Sequence, residues 1–411
     1  MRTTKSAATA FFLAVALGAV PAGAQDSDRL TAQARARGYE VMNRAITFLR
    51  EHQDRATGGW AVNPDGVTFP AITGLVIDGM LHHPAIDAAD PAVTRGVEFL
   101  LTHRQPDGGI YDRVLPSYNT SIALSALAHA GTKDAQAAIP PAQQFLIGLQ
   151  WSEDSASVEV SEQLGVGKVD PSHPFYGGVG YGSHGRPDLS NLAFMLQALH
   201  DSGYEAESPP FQRALVFLQR VQMDERFNDM PYARGATEGG FVYATGPEAD
   251  QTSEGQSQAG TYEESLDDGT VVSRLRCYGS MTYAGFKSYV YAELSRDDPR
   301  VVAAHGWIAR NYTLAENPGM GDEGYYYYLV TFAKALDAWG EPTIGVVLAE
   351  SEGAEPETET RRWAEDLVET LAALQQPDGS FAIKHQRWME SDPVLVTAYA
   401  VLALGSALGE P

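Results

Sequence analysis

The chain has 411 residues, with 53 acidic side chains against 29 basic ones and a formal net charge of −24 at pH 7. So large an excess of negative charge repels phosphate backbones and anionic lipid, and nucleic acid is not an expected partner. The single cysteine, Cys277, leaves no intrachain disulfide to expect.

The first element in chain order is a leader. Arg2 and Lys5 precede an apolar stretch from Ala7 to Val20, broken only by Thr9 and Gly18, and Ala22-Gly23-Ala24 has the small-x-small form that signal peptidase cleaves. Residues 1–24 are therefore expected to be a signal peptide of the Sec route, with residues 25–411 a single periplasmic or secreted domain. The stretch falls short of the about 20 apolar residues that span a bilayer, and no later segment has an unbroken apolar run of that length, so no transmembrane segment is expected.

From Arg44 onward one phrase is written six times. Arg44-Ala45-Ile46-Thr47-Phe48-Leu49 leads to Gln53 and then to Gly58-Gly59-Trp60. The phrase returns at Arg95 to Leu100 with Pro106-Asp107-Gly108-Gly109-Ile110, at Phe145-Leu146 with Gln150, and at Arg213 to Leu218 with Gln222. A degenerate copy at Trp307-Ile308 runs to Gly321-Asp322-Glu323-Gly324, and the last is Leu371 to Gln375 with Pro377-Asp378-Gly379-Ser380-Phe381. The early copies lie roughly fifty residues apart, a period that marks a repeat architecture.

A second helical stretch follows each phrase: Phe69 to Leu81, Tyr118 to Ala130, Asp188 to His200, Ser280 to Leu294, Tyr325 to Trp339 and Pro393 to Leu408. Leu189, Leu192, Ala193, Leu196 and Leu199 keep the helical i, i+3, i+4, i+7 period. Val394 to Leu404 is apolar nearly all round, which implies burial on two sides. Ser117 or Asn119, Asp188, Ser280 and Asp392 stand where N-caps belong, the last followed by Pro393. Each unit is thus an outer helix, a glycine turn and an inner helix, and six such hairpins bury their faces only by closing on themselves. The expected fold is all-α, an (α/α)6 toroid of two concentric layers with the inner-helix N-termini around one mouth. Two acidic insertions, at 245–268 and 349–360, are expected to be solvated loops.

The phrase from Arg44 to Trp60 resembles the QW motif of squalene–hopene and oxidosqualene cyclases, and the repeat is shared with the β subunits of protein prenyltransferases. The resemblance covers roughly Arg44 to Leu408 and implies the toroid; it does not carry the family's chemistry with it. The acid motif Asp-x-Asp-Asp-Thr of triterpene cyclases has its nearest match at Ser265-Leu266-Asp267-Asp268-Gly269-Thr270, which lacks the first Asp. The zinc-binding Asp and His of prenyltransferases correspond to Leu275 and Val396, leaving Cys277 alone, and one ligand of three does not hold zinc. No metal and no cofactor are expected.

Side chains at inner-helix starts are placed to face the mouth or the axis. Tyr118, Asn119, Asn191, Tyr283, Tyr326, Trp388 and Asp392, together with Ser280, are the expected lining of a ligand cavity. Asp322, Glu323 and Asp188 are the candidate catalytic acids. The run Tyr325-Tyr326-Tyr327-Tyr328 cannot turn all four phenols one way, so some face the axis and some the outer layer. An aromatic wall with a few polar groups suits an isoprenoid or another hydrophobic small molecule, bound or transformed. Two other functions compete: a non-catalytic interaction scaffold with a solid axis, and a carbohydrate-active enzyme with paired carboxylates on an open groove.

Overall fold

The computed structural model describes residues 29–62, 66–155, 166–182, 186–246, 255–265, 269–349, 356–383 and 387–409. The signal peptide expected at 1–24 lies outside them. Among the described residues, twelve α-helices alternate between two layers. The outer helices are α1 (Ala32–Glu51), α3 (Pro91–Thr102), α5 (Lys133–Gly148), α7 (Pro209–Val221), α9 (Pro299–Arg310) and α11 (Trp363–Leu374). The inner ones are α2 (Pro70–Leu81), α4 (Pro116–Ala130), α6 (Leu189–Asp201), α8 (Gly279–Tyr291), α10 (Tyr325–Trp339) and α12 (Pro393–Leu408). Inner helices pack in the order α2, α4, α6, α8, α10, α12 and back to α2, so the ring is closed. Every residue of α12 from Val394 to Leu408 is buried, whereas α1 buries one stripe, running from Ala34 through Val41, Met42, Ala45 and Ile46 to Leu49. That contrast is what two-sided and one-sided packing demand.

In four of the six hairpins the glutamine of the repeat ties its own turn to the next outer helix, whereas Gln105 stays within its turn, donating to Tyr111 O (2.8 Å). Gln53 Nε2 donates to Gly58 O in its own turn (2.8 Å) and to Ala92 O in the following outer helix (2.9 Å). Gln150 does the same to Gly177 O (3.0 Å) and Pro210 O (2.9 Å), and Gln222 to Gly239 O and Arg300 O (both 2.9 Å). The last copy closes the circle: Gln375 Nε2 donates to Gly379 O (3.0 Å) and to Val41 O of α1 (2.8 Å). The turn glycine is required twice over. Gly58, Gly177, Gly239 and Gly379 have φ of 81°, 81°, 79° and 90°, where a Cβ is strained. In addition, a Cβ there would lie within 3.0 Å of the carbonyl oxygen of Arg95, Arg213, Ala303 or Arg44 in the next outer helix.

A second tie joins turn to inner helix. The backbone N–H after the glycine pair donates to a threonine hydroxyl, Trp60 to Thr73 (3.0 Å), Ile110 to Thr120 (2.9 Å), Phe241 to Thr282 (3.1 Å) and Phe381 to Thr397 (3.0 Å). Trp60, Phe241 and Phe381 are fully buried under the turn, and the Trp60 indole donates to Leu49 O (2.7 Å).

Several local expectations change. Asp188 and Asp392 do cap α6 and α12, accepting from Asn191 N and Leu395 N. Ser117 and Asn119 do not cap α4, which begins at Pro116 after Leu115, and Ser280 lies inside α8 after Tyr278. The acidic insertions are not loops throughout. Strand β1 (Thr261–Ser265) pairs antiparallel with β2 (Val271–Leu275), and β3 (Ile344–Ala349) with β4 (Glu357–Arg361). In each hairpin a strand containing β-branched residues pairs with the acidic one; alternation leaves Glu263 of β1 exposed and turns Glu264 to the other face, where it pairs with Arg274.

Because Gln222 also accepts from Tyr289 Oη (2.9 Å), its loss strands three polar groups, two of them fully buried. Gln222→Ala should therefore cost about 3 kcal/mol or more, and half-buried Gln375→Ala about 1 kcal/mol. Urea unfolding of the two variants beside the parent measures both values.

Candidate functional site

Closing the inner ring buries the first turns of its helices, whose N–H groups have no partner within the helix. Three of these turns are served by a side chain from the following repeat. Asn119 Oδ1 accepts from Ala71 N of α2 (2.9 Å), Asn317 Oδ1 accepts from Ser280 N of α8 (3.0 Å), and Glu390 Oε1 accepts from Tyr327 N of α10 (2.8 Å). Asn119 also donates to Val114 O (2.9 Å) and Leu115 O (3.1 Å), which fixes the segment entering α4.

Between these helix starts lies a cavity of about 180 Å³. Its wall is aromatic: Tyr118, Tyr181, Tyr243, Tyr278, Tyr327 and Tyr399, with Phe194 and Trp388. Ser190, Ser280 and Gln258 add polar groups, and among the described residues Glu390 is the one carboxylic acid of the lining, which has no basic side chain. Three lining residues are non-glycine residues held at positive φ: Leu115 (49°), Trp388 (55°) and Met389 (62°). Backbone held in this region costs free energy and concentrates where a surface is shaped for use. Gly324, also at positive φ, leaves room for the Trp388 ring, which a Cβ there would touch at 3.0 Å.

Glu390 is only 1% exposed. Burial pushes its carboxyl up to about 7, against the pull of the backbone N–H groups of Tyr327, Tyr326 and Tyr325. One oxygen caps α10; the other, Oε2, is buried and has no hydrogen-bond partner among the described residues.

Of the residues expected to line the cavity, Tyr118, Ser280 and Trp388 do so. Asn119 stands behind the wall as the cap of α2, and Asn191 donates to Asp188 Oδ2 (2.8 Å). Asp392 is taken up in capping α12. Tyr283 packs against Phe332 and Tyr328, with ring centroids 5.1 and 5.7 Å away, and Tyr326 against Phe381 at 5.9 Å, both away from the axis. Tyr327 is the member of the tyrosine run that faces inward. The α10 helix starts directly after Gly324, which sets its phase, and one residue turns a side chain by about 100°.

The candidate acids are not gathered at the cavity. Asp322 is exposed on its turn, and Glu323 pairs with Arg387. Asp188 is fully buried, and burial pushes its carboxyl above the ordinary range, but Ser190 Oγ, Asn191 N and Asn191 Nδ2 occupy its oxygens. Glu390, absent from the expected set, is the acid that the cavity contains.

Phe194, Tyr327 and Tyr399 form a floor shared with a second, smaller space below. Asp78, Gln197, Lys287 and Lys334 line that lower space. Burial would raise the Asp78 carboxyl, but Lys334 at 3.5 Å and His129 at 2.5 Å outweigh it and hold it well below the usual range. Burial, with Lys334 nearby, pulls the Lys287 ammonium down to about 7. Asp78, His82 and His129 lie close enough to share a metal ion. However, Lys334 already brings positive charge to Asp78, and a divalent ion would meet that ammonium at close range.

No family model and no curated protein matches the chain. Among solved structures it is similar to the type II terpene cyclase MstE from Scytonema, in complex with geranylgeranyl dihydroxybenzoate. Identity is 13%, the TM-score is 0.49, and the match covers 93% of this chain and 100% of that one. It is also similar to an inactive variant of an α-1,6-mannanase of Salegentibacter in complex with α-1,6-mannotriose, at 10% identity, TM-score 0.54 and 91% and 100% coverage. The mannanase likeness is one of fold alone.

The folded chain holds the Glu390 proton more tightly than the unfolded one. Its contribution to stability is complete below the ordinary value of 4.5 and is lost as pH rises through about 7. Glu390→Gln removes that loss. Relative to the parent, the variant should gain up to about 3 kcal/mol between pH 4 and pH 8, read as a melting-temperature difference that widens with pH.

Proposed function

We propose that this is an exported protein that binds a small hydrophobic, isoprenoid-like ligand in the aromatic cavity at the mouth of the toroid. The observation that carries this reading is the cavity wall itself: eight aromatic residues converge on an unfilled space with one carboxyl and few other polar groups. A solid scaffold would have no use for an open upper axis lined by strained backbone. Glycoside cleavage needs two carboxyl groups facing the sugar; Glu390 faces the cavity, while Asp188 has both oxygens engaged.

Binding is favoured over proton-initiated cyclisation by the chemistry of the acid. Protonating an alkene requires a strong acid, and burial moves Glu390 the other way, to about 7. Export is supported by the leader, with its two basic residues, apolar stretch and Ala22-Gly23-Ala24.

Trp388 provides a direct readout. Titrating the protein with farnesol should change tryptophan emission saturably, with one ligand per chain by native mass spectrometry. Trp388→Phe should lose most of the emission change and keep the ligand mass. Absence of any adduct at saturating farnesol overturns the reading.

A further inference from the structure

The polar side of the ligand is legible in what the cavity lacks. Among the described residues, Glu390 presents a buried carboxyl oxygen, Oε2, with no hydrogen-bond partner, and the cavity lining they form includes no lysine, arginine or histidine. Elsewhere in the ring, buried acids are provided for: Asp78 has Lys334 and His129, and Asp188 has Ser190 and Asn191 with Arg186 nearby. What bears on Glu390 is burial and three backbone amides, with no cation among them. A buried carboxylate oxygen left in this condition costs free energy until something positive or hydrogen-donating meets it.

The surrounding rings favour the positive choice. Six phenol rings and an indole present π faces or edges to one small space, and a cation within about 6 Å of such a face is attracted by the ring quadrupole. Two of these rings already hold cations at the rim: the Arg186 guanidinium lies 5.0 Å from the Tyr243 centroid and that of Arg387 lies 4.3 Å from Trp388. Both arginines are engaged, Arg387 with Glu323 and Gln258 and Arg186 over its tyrosine beside Asp188. The two lysines of the axis lie beyond the floor of Phe194, Tyr327 and Tyr399, where Lys334 faces Asp78 and Lys287 donates to Gln197.

We infer that the ligand carries a quaternary or fully substituted ammonium group, caged by Tyr118, Tyr278, Tyr327, Tyr399 and Trp388 and paired with the free oxygen of Glu390. The inference rests on the proposed binding of a ligand in this cavity and narrows it to amphipathic amines. A methylated ammonium is preferred to a primary one because its surface is apolar and needs no hydrogen bonds of its own, which the wall would not fully supply.

The test compares choline with 3,3-dimethyl-1-butanol, its carbon isostere, by calorimetry at pH 8 on the whole exported chain. Choline should bind about tenfold or more tightly than the neutral isostere. Glu390→Gln should reduce that preference to threefold or less while leaving the isostere's affinity in place. Equal or tighter binding of the neutral isostere by the parent protein overturns the ammonium assignment and leaves the hydrophobic-ligand reading standing. Binding of farnesol with no detectable choline binding does the same. A choline preference that survives intact in a folded Glu390→Gln protein overturns the pairing with Glu390.

Discussion

A glutamine amide that donates to two carbonyls, one in its own turn and one in the neighbouring outer helix, is the contact on which the ring depends. Such a donor is worth little when exposed, but at Gln150 and Gln222 it is fully buried and its removal strands main-chain acceptors. The turn glycine beside it is the other half of the same joint, since the neighbour's carbonyl occupies the place of a side chain. With hairpins locked at this spacing, six of them return to their start, and Gln375 meets α1 as Gln53 meets α3. Closure then dictates the rest. It buries the starts of the inner helices, which creates the need for caps from the next repeat, and one of those caps is an acid aimed into the cavity.

The axis is accordingly divided. Its lower half is lined by polar groups that satisfy one another: Asp78 pairs with Lys334 and His129, and Lys287 donates to Gln197. Its upper half is aromatic and open. Burying a charge is tolerable where a partner is at hand, and the lower network supplies one for each acid. The upper half does not, and the difference between the two halves points to a ligand there.

Much of the architecture could be read from spacing, because the repeat writes its own boundaries. The helices Tyr325–Trp339 and Pro393–Leu408 have the limits their apolar runs suggest. The third turn was hidden: Gly177-Gly178 closes that hairpin against Arg213, but an insertion after Gln150 separates it from its phrase. The recurring threonines Thr73, Thr120, Thr282 and Thr397 were visible in principle, in the first turns of four of the six inner helices, and signal the tie to the turn. The cavity was harder to read. Choosing Tyr327 over Tyr326 needs the helix phase to one residue, which the sequence of four tyrosines does not contain. Asn119 reads as a cavity residue until its partner, Ala71, is found in the preceding inner helix. Glu390 looks like an ordinary turn acid beside the stronger cap signal of Asp392-Pro393, and its burial follows only from ring closure.

The joints that Gln53, Gln150, Gln222 and Gln375 make run in one sense around the circle, each reaching forward to the helix that follows, and the caps Asn119, Asn317 and Glu390 arrive from the same side. At these joints a hairpin grips one neighbour and is held by the other. Compensating changes in evolution need only involve adjacent units, so individual hairpins could acquire insertions such as the β1–β2 and β3–β4 arms without disturbing the opposite side of the wheel. The molecule behaves less like a single rigid core than like a chain of clasps, and its mouth inherits six independently adjustable lips.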